Sequence, residues 1–368
     1  MHGLNSLFMI ICHVITDLGY GGAEKLLINL ANIQAKNNQV HIVYFKGIAE
    51  LQHTLNNSIK LHHVNLDIYC AKNVRKLLVE LLPDIVHTHL GHADVIGMWA
   101  CRGLKAKCFC TMHNIWFKWD WRDSLIFGIY FILFKTIAKN CKVISISKAV
   151  AEHVEKVLKV SKHNSKMVYN AIPNTLNEYN KAMLRKEFNI SDDSFCILFV
   201  GRLEIQKSVE TLLYSVAELR SKINNIQVII VGDGNLKLTL QELSKKLNID
   251  NIVLFSGSIL DVEKYYAMAD VFVLPSVFEG FGIVILEAFK ASLSVVSTNI
   301  EGPKELIEDG YNGFLFEPKD HHKLSDYLWR LYESSDERIR IGTNGYNSYK
   351  NNYNIKGYAE KIEALYTE

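Results

Sequence analysis

The strongest constraint on the fold is an alternation of short apolar runs with helical patterns, which occurs twice along the chain. In the first half, runs of strand length such as Phe8–Val14, Val40–Phe45 and Asp84–His89 are separated by helical stretches such as Ala23–Lys36. The pattern restarts at Cys196–Val200. Runs of Val, Ile and Phe between helices are typical of parallel sheets covered on both faces. The sequence therefore predicts an α/β chain with two Rossmann-like doubly wound domains.

A polar segment, Asn170–Asn180, separates the two halves and is typical of a linker. We expect an N-terminal domain over residues 1–175, a C-terminal domain over 176–350, and a last helix within 351–368 that packs back toward the first domain. Ligands of such sheets bind at the carboxyl ends of the strands. The two domains are therefore predicted to face each other across a cleft.

Charge and composition narrow the class of protein. The net charge is only +2, which does not favour a nucleic-acid partner. It conceals an asymmetry, because residues 1–178 hold 20 Lys and Arg against 12 Asp and Glu, and the remainder holds 21 against 27. The seven cysteines have no framework spacing, and the longest uncharged apolar run, Ser124–Phe134, has 11 residues. A membrane span needs about 20 residues, so this run is too short to cross a bilayer. Because the cysteines show no disulfide framework, we expect reduced thiols in a cytoplasmic protein.

Two glutamates eight residues apart, Glu279 and Glu287, follow a buried strand of the second half. Between them, Gly280, Phe281, Gly282 and Ile283 begin a predicted helix. The glycines would allow close approach of the backbone to a ligand, and the helix start favours an anion. Carboxylates at a strand end suit hydroxyl-rich ligands. The alternative is that Glu279 caps the helix and Glu287 is merely solvated.

Two cations, Arg202 and Lys207, flank the turn after the first strand of the second half. Such a pair could bind a diphosphate and neutralise its charge as a leaving group. The alternative is two ordinary surface cations.

In the first half, Gly21 and Gly22 follow the first strand, and His113 ends another strand. The glycines are compatible with close approach to a phosphate and equally with a plain tight turn. His113 could hydrogen-bond a sugar hydroxyl or assist proton transfer, or it could be a structural histidine.

Taken in order, these segments resemble glycosyltransferase family 4, retaining nucleotide-sugar transferases of the GT-B fold. The resemblance covers essentially the whole chain. It is carried by the segments Gly21–Glu24, Asp84–His89, His113-Asn114, Ile144–Lys148, Tyr169-Asn170, Gly201–Leu203 with Lys207, Val231–Gly234, Glu279–Glu287 and Gly310–Gly313.

The resemblance implies a division of roles within a donor site. Arg202 and Lys207 would bind the diphosphate, Glu287 the ribose hydroxyls, and Glu279 the transferred sugar together with the amides of Phe281 and Gly282. From the first domain, Gly21 and Gly22 would approach the phosphates and His113 the sugar. His113, Arg202, Lys207 and Glu279 are the predicted catalytic residues.

The family also implies that no metal or other cofactor is needed, because cations stabilise the leaving diphosphate. Attack is expected from the front face, with the departing phosphate taking the acceptor proton. We expect a UDP-sugar donor, with GDP-mannose second, and a saccharide acceptor in surface polysaccharide or lipopolysaccharide synthesis. The sequence departs from the family at Ser208, usually Gly, at Ala171 and Pro173, and at Glu301-Gly302-Pro303.

Three alternative classes of function are compatible with parts of the sequence. A metal-dependent hydrolase is suggested by His87, His89 and His92, but Gly91 stands where a further ligand is expected. A GT-B nucleotide-sugar epimerase or sugar phosphorylase fits the charged set less well. A non-catalytic sugar-nucleotide-binding protein would be expected to lack one of the charged contacts.

A cluster of aromatic and basic residues suggests where the acceptor binds. Trp116, Trp119 and Trp121 lie within six residues and are followed by Arg122. Such a mixture suits a bilayer interface with anionic lipid. We expect these residues to contact a lipid-linked acceptor or the inner face of the cytoplasmic membrane. The apolar segment Ser124–Ala138 that follows could instead be a buried helix.

Overall fold

The computed structural model describes residues 8–19, 21–47, 49–113, 131–173, 179–259 and 261–368. The chain divides into two compact units. The first comprises Met1–Pro173 together with Ile355–Glu368, and the second comprises Asn174–Asn354.

Within the described residues, the first unit contains a seven-stranded parallel sheet of order β3-β2-β1-β4-β5-β6-β7. The strands are β1 (Ile10–Asp17), β2 (Gln39–Lys46), β3 (Lys60–His63), β4 (Ile85–His89), β5 (Lys107–Met112), β6 (Lys142–Ser145) and β7 (Ser165–Met167). The helices are α1 (Gly22–Gln34), α2 (Cys70–Leu81), α3 (Gly91–Cys101), α4 (Lys148–Lys156) and, at the end of the chain, α13 (Ile355–Thr367). Residues 131–137 are also helical.

Both faces of this sheet are covered by helices, as its continuous apolar strands require. On one face, Ile11, Ile85 and Phe109 pack with side chains of α1 and α13. On the other, Val14 and Val86 pack with side chains of α2 and α3. The last helix is therefore part of the core of the first unit.

The second unit, in the part of the chain that the structure describes, has a six-stranded parallel sheet of order β10-β9-β8-β11-β12-β13. The strands are β8 (Phe195–Val200), β9 (Ile226–Val231), β10 (Val253–Gly257), β11 (Val271–Leu274), β12 (Ser294–Thr298) and β13 (Phe314–Phe316). The helices are α5 (Lys181–Glu187), α6 (Val209–Leu219), α7 (Lys237–Lys246), α8 (Glu263–Met268), α9 (Ile283–Lys290), α10 (Pro303–Leu306), α11 (His321–Glu333) and α12 (Ser335–Asn352).

The predicted fold class, two doubly wound α/β sheets, is confirmed. The prediction missed β3, α5 and α12. The short strand β3 pairs at the sheet edge through a sequence with little apolar content. Helix α12 packs partly through glycine, since a Cβ on Gly345 would lie 2.5 Å from the Phe289 ring. A glycine contact face has no apolar periodicity for a sequence pattern to detect.

None of the described helices combines the length and the apolar composition that crossing a bilayer requires.

Candidate functional site

Two loops of the second unit are joined at the carboxyl ends of β8 and β11. The amide of Val277 donates to the carbonyl of Gln206 at 2.8 Å. This backbone bond lies beside an ion pair between Lys207 Nζ and Glu279 Oε1. Ser276 Oγ donates to the same carboxylate oxygen at 2.8 Å. The structure thus brings together two residues that are 72 positions apart in the sequence.

This ion pair is largely removed from water, because the side chains of Lys207 and Glu279 are only 11% and 10% exposed. Removing one member of a buried pair leaves an uncompensated charge and costs about 3–5 kcal/mol. Lys207 and Ser276 thus share one oxygen, Oε1, of the Glu279 carboxylate.

Glycine is required at two positions near Glu279, one in its own loop and one in the loop after β12. Gly282, immediately before α9, has a φ of +89°, which is left-handed. Gly302 has the same φ, and a Cβ there would lie 2.8 Å from the carbonyl oxygen of Glu279. Gly302 therefore allows two backbone segments to pack closely together.

The remaining residues predicted between the two glutamates have different environments. Gly280 is buried, and the Phe281 ring is only 3% exposed, with its centroid 6.1 Å from that of Tyr353. Ile283 is half-buried and begins α9. The side chain of Phe281 therefore belongs to the core of the second unit, and a ligand at this loop would contact the backbone of Phe281.

Arg202 and Glu287 each have a separate partner. Arg202 is 68% exposed and its Nη1 lies 3.1 Å from Glu204 Oε1. The hydroxyl of Tyr266 donates to Glu287 Oε2 at 2.8 Å. Burial, reinforced by the nearby Glu287 carboxylate, raises the pKa of the Tyr266 phenol, so Tyr266 remains a donor.

Ser208, which departs from the family pattern, has left-handed backbone angles of φ +46° and ψ +44°. This conformation explains why glycine is usual there. The serine hydroxyl is buried and lies 2.9 Å from Thr211 Oγ1. That hydrogen bond partly offsets the backbone strain.

In the first unit, Gly21 and Gly22 lie at the start of α1. A Cβ on Gly21 would lie 2.1 Å from Oε2 of Glu24, so the carboxyl group of Glu24 covers this helix start. Burial raises the pKa of Glu24 to about 7, and the nearby Asp17 adds to the effect. A phosphate that reaches Gly21 therefore has to displace the Glu24 side chain.

His113 directly follows β5 and is 7% exposed. Its Nε2 lies 3.4 Å from Nδ1 of His89. Nε2 of His89 in turn lies 3.2 Å from Nδ1 of His13, and Nε2 of His13 lies 2.8 Å from Oε1 of Gln34. Three imidazoles from three neighbouring strands thus form a hydrogen-bonded row that ends on α1.

A fourth buried imidazole, His87, adjoins this row. Its Nδ1 lies 2.6 Å from the hydroxyl of Tyr366 and its Nε2 2.7 Å from Oγ1 of Thr111. Burial lowers the pKa of His13 and His113 to about 4, and it lowers the pKa of His87 and His89 well below the usual value. All four rings are therefore neutral at pH 7.

Ring nitrogens of His13, His87 and His89 lie within 4.8 Å of one another, close enough to hold a metal ion. Both nitrogens of His87, however, already have hydrogen-bond partners. The histidine pattern of the metal-dependent hydrolase alternative also needs His92, which does not belong to this group. The geometry fits a hydrogen-bonded cluster better than a metal site.

The prediction of an acceptor or membrane contact at Trp116, Trp119, Trp121 and Arg122 lies outside the described residues.

Sequence reasoning missed four partners of the predicted residues. These are Ser276, Tyr266, His13 and Gln34. Ser276 lies three residues before Glu279 in the same loop, whereas Tyr266 is on α8, Gln34 on α1 and His13 on β1. None of them carries a motif, and only the loop conformation and the packing of helices and strands bring them to the predicted residues.

Comparison with known proteins shows the family to which each half of the chain is similar. Residues 20–175 match the model of Glycosyltransferase Family 4, and residues 180–348 match that of Glycosyl transferases group 1. An uncharacterized glycosyltransferase of Methanocaldococcus jannaschii is 33% identical over 53% of this chain. That match spans only about half of the relative, 53% of its length.

Two further similarities extend over more of the chain. A UDP-Gal:α-D-GlcNAc-diphosphoundecaprenol α-1,3-galactosyltransferase of Escherichia coli is 29% identical over 82% of this chain and 80% of its own length. The crystal structure of Anabaena HepE in complex with UDP-glucose superposes with a TM-score of 0.86 and 21% identity, covering 98% of this chain and 100% of that one. With both halves matched by their family models, and with two parallel sheets of the GT-B type, the chain belongs to glycosyltransferase family 4.

Proposed function

We propose that this chain transfers a hexosyl or N-acetylhexosaminyl group, with retention of configuration, from a UDP-sugar to a lipid-linked saccharide. The observation that carries the proposal is the nearly buried Lys207–Glu279 pair at the end of the second sheet. The structural neighbour HepE was crystallised with UDP-glucose. The E. coli relative is named for a UDP-Gal donor and a diphosphoundecaprenol-linked acceptor. Both names support a UDP-sugar donor here.

The pair suits a nucleotide diphosphate sugar because its cation and its carboxylate would bind different parts of that ligand. Lys207 would bind the diphosphate, with the exposed Arg202 adding a second positive charge. Glu279, released from the lysine, would accept hydrogen bonds from hydroxyls of the transferred sugar. Donor binding would thus replace one buried ion pair by two ligand contacts.

Glu287 would accept the ribose hydroxyls while the hydroxyl of Tyr266 holds its carboxylate in place. His113 would meet the transferred sugar from the first unit. The two cations would stabilise the leaving diphosphate, so the reaction would proceed without a metal ion. The departing phosphate would take the proton of the acceptor hydroxyl.

A thermal-shift series tests donor binding. A UDP-sugar at about 100 times its Kd should stabilise the native chain by about 2.7 kcal/mol. Lys207→Met should abolish most of this shift, whereas Lys246→Met, at an exposed lysine of α7, should retain it. If no nucleotide sugar stabilises the wild type, the proposed function is wrong.

A transfer assay with a diphosphoundecaprenol-linked GlcNAc acceptor tests the reaction. Glu279→Gln should lower turnover by about 10²-fold, the scale for losing one preorganised electrostatic contact. Addition of EDTA should leave the rate unchanged. Isomerisation of the donor without acceptor would indicate an epimerase instead, and a wild-type rate in Glu279→Gln would reject this site.

The acceptor side of the proposal includes attachment to an anionic membrane through Trp116–Arg122. Flotation with vesicles of phosphatidylglycerol tests it, since interfacial aromatic and basic residues favour such lipid. The double variant Trp119→Ala, Trp121→Ala should lose binding that Trp329→Ala, in the second unit, retains. Failure of the wild type to float would refute the attachment.

A further inference from the structure

The row of imidazoles behind His113 follows directly from the register of the first sheet. His13 on β1 is paired with His87 on β4, and His89 is paired with Thr111 on β5. Because side chains two residues apart on a strand share a face, His87 and His89 lie together beneath His113. His13, His87 and His89 are fully buried, and their ring nitrogens have hydrogen-bond partners within the protein.

The hydrogen bonds of the row determine where each proton resides. A neutral imidazole has one donor and one acceptor nitrogen. Since Oε1 of Gln34 is an acceptor, the proton of His13 lies on Nε2 and its Nδ1 is an acceptor. His89 must then donate from Nε2 and accept at Nδ1. His113 consequently carries its proton on Nε2, and its Nδ1 is an acceptor.

The direction of all the hydrogen bonds in the row depends on Gln34, the group at the end opposite His113. If the Gln34 amide were turned so that its nitrogen faced His13, every tautomer along the row would reverse, and Nδ1 of His113 would become a donor. Gln34 is fully buried on α1, and its Oε1 lies 2.8 Å from Nε2 of His13. The preference of His113 is therefore set three groups away.

We propose that His13 and His89, oriented by Gln34, are positioning residues that hold His113 in the Nε2–H tautomer, so that its Nδ1 accepts a hydrogen bond from a hydroxyl of the transferred sugar. The proposal rests on the proposed function, because it takes His113 as the sugar contact of the first unit. It adds that His113 selects a sugar that carries a hydroxyl group at this position, because a hydroxyl can donate a hydrogen bond to Nδ1, whereas a group that only accepts hydrogen bonds cannot. A donor lacking that hydroxyl would leave a buried acceptor unsatisfied.

Nitrogen-15 NMR of histidine-labelled protein tests the tautomer directly. In the wild type at pH 7, His113 should show a protonated Nε2 and an unprotonated Nδ1. Gln34→Met is similar in size and removes the acceptor at the far end, so His113 should become a mixture of tautomers. A protonated Nδ1 in the wild type, or an unchanged His113 spectrum in Gln34→Met, would overturn the proposal.

Substitutions at His89 test the consequence for catalysis. His89→Leu breaks the row, and we expect turnover with a UDP-sugar to fall about tenfold, the scale of one lost hydrogen bond. His89→Asn places an amide where Nδ1 stood and should recover most of that loss. His89→Leu should also lose the preference for the natural donor over deoxy analogues. Equal rates in His89→Leu and His89→Asn would contradict a positioning role.

Binding of UDP alone separates this proposal from the proposed function. UDP lacks the sugar, so its affinity should be the same in the wild type and in His89→Leu. Absence of UDP binding to the wild type would refute the proposed function. Normal UDP binding with unchanged turnover in His89→Leu would refute only the positioning role of the imidazole row.

Elemental analysis of the purified chain completes the test. A stoichiometric metal ion bound to His13, His87 and His89 would mean that these histidines are metal ligands and not members of a hydrogen-bonded row.

Discussion

Buried neutral histidines should make the first unit sensitive to mild acid, and His13 offers the most direct measurement. Its pKa is lowered from 6.5 to about 4 by burial, so at pH 5.5 the unfolded chain binds a proton that the native chain does not. Because the unfolded state binds more protons, stability falls as the pH falls from about 7 toward 4. Integration from pH 7.0 to 5.5 assigns about 1 kcal/mol of this loss to His13.

Other buried groups act in the opposite sense. Burial raises the pKa of Glu24 and of Asp94 to about 7, so both bind protons in the native state and stabilise it as the pH falls. The informative quantity is therefore the difference between His13→Gln and the wild type. In that difference the contributions of these carboxyl groups cancel.

Hydrogen exchange followed by mass spectrometry supplies the measurement, since it reports on each unit separately. Between pH 7.0 and 5.5, after correction for intrinsic exchange, β1 and β4 of the wild type should lose about fivefold more protection than those of His13→Gln, which corresponds to about 1 kcal/mol. Strands β8 and β11 of the second unit serve as an internal reference.

A matched control uses His163, which is exposed in the folded chain. His163→Gln should keep the wild-type pH dependence. If His13→Gln and the wild type lose the same protection between the two pH values, His13 is not a buried neutral group, and the neutral row of imidazoles is refuted with it.

Three further predictions concern the second unit. Ser208→Ala and Ser208→Gly both lose the hydroxyl contact with Thr211, but only the alanine keeps the left-handed strain, so urea denaturation should find Ser208→Ala about 1 kcal/mol less stable than Ser208→Gly. Gly302→Ala should push the Glu279 loop aside and weaken UDP-sugar binding at least tenfold by calorimetry, while Gly310→Ala, which has a φ of +75° and open space around its Cβ, should bind normally. Tyr266→Phe should weaken UDP binding about three- to tenfold, because Glu287 loses its donor, and unchanged affinity would argue against a role for Glu287.

The motif residues differ in how far the sequence alone could place them. Glu279 and Lys207 belong to motifs recognisable from their spacing after strands, and the structure brings the two side chains into contact. Their assignment to a sugar donor remains a prediction. Arg202, which belongs to the same motif as Lys207, is exposed and pairs with its sequence neighbour Glu204. Spacing along the chain does not distinguish these two outcomes, because burial is decided by elements distant in sequence.

The amino-acid pattern alone was enough to predict the class of fold and the order of the motifs along the chain. Apolar runs of strand length between helices require parallel sheets covered on both faces, wherever in the chain they occur. The sequence predicted that the last helix packs toward the first domain, but the side chains that α13 covers, and the row of His13, His89 and His113 with Gln34, follow only from the three-dimensional packing. Each of those facts depends on strand order, register and packing, in which contacts join residues far apart along the chain. Local pattern is set by neighbours in sequence, whereas a buried polar network is set by neighbours in space.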